Sequence, residues 1–165
     1  MSEIISTYYK SPLGMLKISG NDYFINEINF ADHIDESVVI NKELSESIIQ
    51  CIEQLIQYFN GERRVFDFVI NQDGTAFQKR VWTELSGINY GKTISYLELS
   101  RRLGDTKAIR AAASANGKNN LAIVVPCHRV IGSKNDLVGY AGGLWRKRWL
   151  LEHEAKIMYG VQTLF

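Results

Sequence analysis

Ser95-Tyr96-Leu97-Glu98-Leu99-Ser100-Arg101-Arg102-Leu103-Gly104-Asp105-Thr106-Lys107-Ala108-Ile109-Arg110-Ala111-Ala112-Ala113-Ser114-Ala115-Asn116 is the stretch on which the fold turns. Ser95 followed three residues later by Glu98 has the form of a capping box and predicts a helix that runs to Leu103 and stops at Gly104. Asp105 and Thr106 then cap a second helix, Lys107 to Asn116. Two short helices across so tight a turn make a helix-turn-helix pattern, one that any helical hairpin shares. After Arg110 the second helix carries almost no side-chain bulk. Its backbone can therefore approach a neighbour closely, whether another helix or a nucleic-acid groove; taken alone, packing inside the domain is the plainer reading.

Downstream, Leu121-Ala122-Ile123-Val124-Val125 is a continuous apolar run ending in Pro126 and predicts a buried strand. A glycine-rich loop, Gly132 to Gly143, and a final helix from Leu144 to about Ala155 complete a mostly helical second half. Upstream, Ser11-Pro12-Leu13-Gly14 reads as a turn, and Met15–Gly20 and Tyr23–Phe30 alternate as the strands of an antiparallel hairpin. Leu16 and Ile18 share one face, and Phe24, Ile28 and Phe30 mostly another. Asp32–Ser37 is polar and predicts a loop. Ser45 to Phe59 predicts an amphipathic helix with Ile48, Ile52, Leu55, Ile56 and Phe59 as its apolar stripe and Gly61 past its end. Val65–Ile70 alternates again as a strand returning to the sheet. Thr75 caps a further helix in which Phe77, Val81 and Leu85 recur on one face. The expected fold is α+β: a small antiparallel sheet with a helix over residues 1–74, then a helix-turn-helix, winged-helix-like domain over residues 75–165.

Composition bounds the function. With 165 residues, 45% of them hydrophobic and 22% charged, the chain suits a folded globular protein and not a disordered one. No apolar run approaches the ~18–20 residues of a membrane span. Met1–Lys10 lacks a basic flank leading into an apolar stretch, so no signal peptide is expected. Cys51 and Cys127 are the only cysteines and lie far apart without a CxxC, which argues against a disulfide framework or a zinc cluster and for a reducing cytoplasm. The net charge of +1 hides an asymmetry: residues 1–75 hold 5 Lys/Arg against 12 Asp/Glu, and residues 76–165 hold 14 against 6. A basic second half suggests an anionic partner, nucleic acid first, although two ordinary solvated faces would give the same count.

The chemistry centres on Pro126-Cys127-His128-Arg129. A thiol is a good nucleophile only as thiolate, and a neighbouring His or cation favours that form. Adjacent side chains on extended backbone point apart, so a direct Cys127–His128 bond needs a sharp turn, or a water between them. A buried cysteine beside a structural histidine is the bland alternative. Cys51, inside its predicted helix, reads as a small hydrophobe, and His33 as a loop residue.

The full string Ile123-Val124-Val125-Pro126-Cys127-His128-Arg129-Val130-Ile131 resembles the active-site signature of the O6-alkylguanine-DNA alkyltransferases, the methylated-DNA–protein-cysteine methyltransferases. Phe77–Trp82, Gly91–Tyr96, Gly139–Leu144 and Leu150–Glu154 are similar to further segments of that family. Residues 1–75 resemble its ribonuclease-H-like sheet domain more loosely. The resemblance implies DNA repair by irreversible transfer of an alkyl group from guanine O6, and by extension thymine O4, to Cys127, each molecule working once and without a cofactor or metal. It implies that His128 takes the cysteine proton through a water, that Glu154 orients that His, that Tyr96 donates to guanine N3, and that Asn119 holds the turn before the active-site strand. Backbone carbonyls of Cys127 and Val130 would accept from the exocyclic amine. Tyr140, Ala141 and Gly142 would line the pocket, with Ala141 standing where some relatives carry a hydroxyl. DNA contacts fall to Tyr96, Arg110, Ala111, Ala112, Ala113, Ser114 and Arg129, with Arg110 filling the gap left by a flipped nucleotide and the small residues fitting a minor groove only ~6 Å wide. The partner is then double-stranded DNA bound by a monomer, with no membrane involved. Three rivals remain at this point: a non-catalytic binder of alkylated DNA, whose known forms replace the cysteine, a helix-turn-helix regulator with an accidental Cys-His pair, and a thiol hydrolase.

Overall fold

The computed structural model describes residues 2–35 and 43–160; Glu36 and Ser37, the end of the expected polar loop, lie outside the described residues. The chain divides into two compact units, Met1–Gln72 and Asp73–Phe165.

The first unit is a three-stranded antiparallel sheet, β1 (Ile5–Ser11), β2 (Gly14–Gly20) and β3 (Ile25–Phe30) in that order, with α1 (Glu46–Phe59) packed on it. The Ser11–Gly14 turn joins β1 to β2; the Ser11 hydroxyl donates to Gly14 O at 2.7 Å and accepts from Leu13 N at 3.1 Å. Apolar alternation does not reveal β1, because the side chain it buries at mid-strand is Thr7. The β2–β3 hairpin forms, but β3 starts at Ile25 and not Tyr23. Asn21 Oδ1 accepts from Tyr23 N at 2.8 Å and Phe24 N at 3.0 Å, which curls those residues into the turn. A register shift at Ser19/Gly20 then puts Ile25 and Ile28, not Phe24 and Ile28, into the core.

Ser45 caps α1 by accepting from Ile48 N. The helix buries Ile48, Cys51, Leu55, Tyr58 and Phe59, so its inward face is rotated from the expected stripe: Ile56 is 41% exposed and Cys51 is fully covered. Hydropathy alone cannot choose between two overlapping apolar stripes; the sheet does. Val65–Ile70 is not a strand. It touches the sheet through one parallel bridge, Ile70 to Ile25, and leaves Val65 and Val69 exposed.

The second unit contains α2 (Ala76–Ser86), β4 (Ile94–Ser95), α3 (Tyr96–Arg102), α4 (Ile109–Gly117), β5 (Val130–Ile131) and α5 (Leu144–Tyr159). Thr75 and Gln78 form a complete capping box on α2, which buries Val81, Trp82 and Leu85. The Trp82 indole donates to Ala115 O at 2.9 Å and so fastens α2 to α4. Ser95 caps α3, but Glu98 does not close the box; its carboxylate faces Arg101 and Arg102 on the helix surface. Gly104, at φ +85°, ends the helix in a conformation costly to residues with a Cβ. Asp105 caps a 3₁₀ turn over Thr106–Ala108, so α4 begins two residues later than its pattern suggests. The α2–α3–α4 cluster is a helix-turn-helix core, with the short parallel pair β4–β5 beside α3. The final helix runs one turn beyond Ala155, to Tyr159.

Leu121–Val125 is the largest departure from the expected strand. It folds into a tight turn: Val124 N donates to Ala122 O at 2.8 Å, Val125 N to Leu121 O at 3.0 Å, and Ile123 sits at φ 71°, a rare conformation for a β-branched residue.

The rotation of α1 makes a direct test. Leu55→Ala should lower the unfolding free energy by about 2–5 kcal/mol, whereas Ile56→Ala should change it by less than about 0.5 kcal/mol. Urea midpoints at constant slope measure both.

Candidate active site

Pro126 leads Cys127, His128 and Arg129 into one turn of 3₁₀ helix immediately before β5. The backbone here is a sharp turn and not extended strand, yet it makes no direct Cys127–His128 hydrogen bond. All three residues are buried, and the turn packs against α5.

Glu154 of α5 organises them. Its carboxylate, fully buried, lies 2.7 Å from His128 Nε2 through Oε2. It also accepts both arms of the Arg129 fork, Nε at 2.8 Å and Nη2 at 3.0 Å, and the backbone N–H of Gly91 at 3.1 Å. The remaining Arg129 arm, Nη1, donates to Ile88 O at 2.7 Å. Burial alone would push the Glu154 carboxyl up, but His128 and Arg129 outweigh it and hold the group well below the usual carboxylate range. Burial holds His128 down despite the raising effect of the carboxylate, so the ring is neutral at neutral pH. A carboxylate can only accept, so Nε2 carries the ring proton and Nδ1 presents its lone pair. That Nδ1 is buried and has no hydrogen-bond partner. Glu154 thus fixes both the tautomer and the orientation of the ring.

Burial raises the Cys127 thiol, while a hydrogen bond from Asn119 and the Lys147 charge pull the other way. The resting group is a thiol. Asn119 holds the turn before it: Nδ2 donates to Val125 O at 2.8 Å and Leu121 O at 3.3 Å, and Oδ1 accepts from Leu121 N at 3.1 Å. Lys147, fully buried on α5, donates to Val130 O at 2.6 Å, Val138 O at 3.0 Å and Gly139 O at 3.1 Å. It pins β5 and the glycine-rich loop together, and burial lowers its pKa to about 8. The Tyr96 hydroxyl donates to Val138 O at 3.0 Å. Between these elements lies a cavity of about 120 Å³ lined by Tyr96, Ala113, Asn116, Gly117, Asn119, Cys127, Gly139, Tyr140 and Ala141. Among the described residues, no group of three His, Cys, Asp or Glu is placed to hold a metal ion.

Residues 76–156 match the family model for the 6-O-methylguanine DNA methyltransferase DNA binding domain, and residues 4–72 that for its ribonuclease-like domain. The chain belongs to this family. A methylated-DNA--protein-cysteine methyltransferase of Mycolicibacterium paratuberculosis is 42% identical over 156 residues, 94% of each chain. One of Methanosarcina acetivorans is 40% identical over 151 residues, 88% of this chain and 95% of the relative. A crystal structure of Mycobacterium tuberculosis OGT in complex with DNA superposes with a TM-score of 0.83 at 39% identity, covering 91% of this chain and 92% of that one.

Several residues expected at the methyltransferase site lie elsewhere than the resemblance implies. Arg129 is not a DNA contact: it is 6% exposed and all three arms of its guanidinium are engaged internally. Ala112 is not one either, because the helical period turns it, with Ala115, into the core. Arg110, Ala111 and Ser114 form the exposed face of α4, and Ala113 turns to the cavity. Val130 and Gly142 are not part of the cavity wall; the Val130 carbonyl accepts from Lys147 and that of Gly142 from Arg146. Sequence reasoning missed Lys147 and Asn116. Lys147 carries a readable signal, since the spacing Lys147, Leu150, Leu151, Glu154 places two charged residues on the buried stripe of α5.

Glu154→Gln keeps the shape but leaves the Arg129 charge uncompensated, so it should lose about 3–5 kcal/mol of stability at neutral pH. The wild-type carboxyl, held below its ordinary 4.5, binds its proton more weakly in the folded than in the unfolded chain. Its contribution is therefore complete above about pH 5 and lost on acidification. Chemical denaturation from pH 7 downward should show a steeper loss for wild type than for the variant.

Proposed function

We propose that this protein repairs DNA by taking the alkyl group of O6-alkylguanine onto Cys127, as a monomer in the cytoplasm, on a nucleotide flipped out of a duplex approached from the minor groove. The observation that carries the residue roles is the buried, partnerless Nδ1 of His128, aligned by Glu154 in the turn that presents Cys127. The family membership supplies the reaction class; this geometry supports His128 as the base.

In the proposed step, a water relays the Cys127 proton to His128 Nδ1, and the Glu154 carboxylate stabilises the imidazolium that forms. Sγ attacks the alkyl carbon, the S–C bond forms as the C–O6 bond breaks, and the electron pair passes into the purine. Tyr96 leaves Val138 O and hydrogen-bonds N3, where negative charge develops; Lys147 still serves that carbonyl. The alkyl donor is the lesion itself, so no cofactor takes part, and no group at the site reverses a thioether. The first unit serves as a support for this machinery.

Incubation with a duplex oligonucleotide holding one O6-methylguanine should add a single methyl to the intact protein mass. Cys127→Ser should add none. Cys51→Ser should behave as wild type, because burial pushes that thiol up to about 12 and keeps it inert. A wild-type mass that stays unchanged rules the reading out.

Arg110 is exposed in the first turn of α4, where its planar side chain is free to take the place of the flipped base. Arg110→Ala should slow single-turnover repair of duplex substrate by at least about tenfold, since the unstacking of a few kcal/mol goes uncompensated. The reaction of free O6-alkylguanine should stay within about twofold of wild type. Equal slowing of both substrates would instead make Arg110 a support of the fold or pocket.

A further inference from the structure

Tyr96 has to donate as charge gathers on N3, yet its surroundings oppose that. Burial and the nearby Cys127 sulfur both push its phenol up, which makes it a weaker acid. One group acts the other way. Asn116, near the end of α4, lines the cavity with Tyr96 and Cys127 and is only 5% exposed. Its amide hydrogen-bonds the Tyr96 hydroxyl and pulls the phenol down, which a donor does and an acceptor does not. The nitrogen of Asn116 is therefore the end that meets the phenol, and its Oδ1 is buried without a hydrogen-bond partner.

A phenol hydroxyl has one proton and two lone pairs. With the amide N–H on one lone pair, the proton points away from Asn116; at rest it goes to Val138 O at 3.0 Å. In the proposed step that proton turns to N3. As Sγ takes the alkyl carbon and the C–O6 electron pair passes into the purine, the proton shifts along the Oη–H···N3 bond and negative charge grows on Oη. A donor already in place at Oη strengthens as that charge develops and needs no reorganisation. Resting on the functional reading above, we infer that Asn116 is a positioning residue for the transfer: its Nδ2–H donates to Tyr96 Oη, aims the hydroxyl proton at the base and stabilises the charge left on oxygen as that proton moves to N3. Asn116 acts through Tyr96 and makes no contact of its own with the reacting atoms.

The test compares single-turnover methyl transfer from two duplexes that differ only at the lesion, O6-methylguanine or O6-methyl-3-deazaguanine. In the second a C–H replaces N3, and Tyr96 has nothing to donate to. Dividing each variant's rate ratio by that of wild type cancels any difference in how easily the two lesions flip. Asn116→Leu, which keeps the size and removes the donor, should lower the preference for O6-methylguanine about tenfold, chiefly by slowing that lesion. Asn116→Ala, at a helical position that alanine suits, should do the same and guards against a misfolded Leu variant. In a Tyr96→Phe background the same two substitutions should change the ratio by less than about twofold, because the group through which Asn116 acts is gone. Equal slowing of both lesions, or an unchanged ratio in Asn116→Leu or Asn116→Ala, overturns the inference and leaves Asn116 a structural residue. A loss of preference that persists at full size in the Tyr96→Phe background overturns the route through Tyr96. Failure of wild type to take a methyl from O6-methylguanine would instead remove the functional reading beneath it.

Discussion

A single buried carboxylate, that of Glu154, holds the active-site unit in its working shape. Two oxygens accept four donors, from His128, Arg129 twice and Gly91, which fills their hydrogen-bonding capacity. Through them α5 is tied to the 3₁₀ turn that carries the cysteine and to the segment after α2, which Arg129 also grips through Ile88 O. A bidentate arginine keeps the carboxylate charged; the carboxylate in turn keeps the histidine in one tautomer and one orientation. Apolar residues of equal volume could pack this space, but they could not aim Nδ1.

Lys147 is the second buried charge, and it is handled differently. Among the described residues no carboxylate pairs with it, and its ammonium is solvated by three backbone carbonyls from two segments. Burial therefore weakens its hold on the proton, to about 8, where Glu154 with its ionic partners is driven the opposite way. The low dielectric that loosens Lys147 also keeps Cys127 protonated and His128 neutral. At rest the turn therefore holds a neutral thiol beside a neutral imidazole.

Small residues on α4 do two jobs at once. Ala112 and Ala115 let the helix pack closely, with the Trp82 indole reaching Ala115 O, while Arg110, Ala111 and Ser114 leave a low outer face with one long cation on it. The helical period divides the alanine run between two faces: Ala112 and Ala115 turn inward and pack, while Arg110, Ala111 and Ser114 face solvent.

Features set by short-range chemistry are readable in the sequence alone. Ser45, Thr75 and Ser95 cap helices where a hydroxyl precedes the periodic pattern, and Gly104 ends α3; the Cys-His pair alone leaves the cysteine open, and only its resemblance to the family signature over Ile123–Ile131 singles out Cys127. What depends on partners distant along the chain is not readable. The inward face of α1 is chosen by the sheet. The apolar run Leu121–Val125 is a turn because Asn119 bridges to Val125 O across it, a bond no hydropathy pattern encodes. Arg129, a surface cation by type, is a buried strut only because Glu154 arrives from α5 to neutralise it. Local sequence determined the helices and their caps; the tertiary fold alone decided which apolar runs become strands, which charges are buried and which lone pairs are free, because desolvation and hydrogen-bond partnership are properties of packed space.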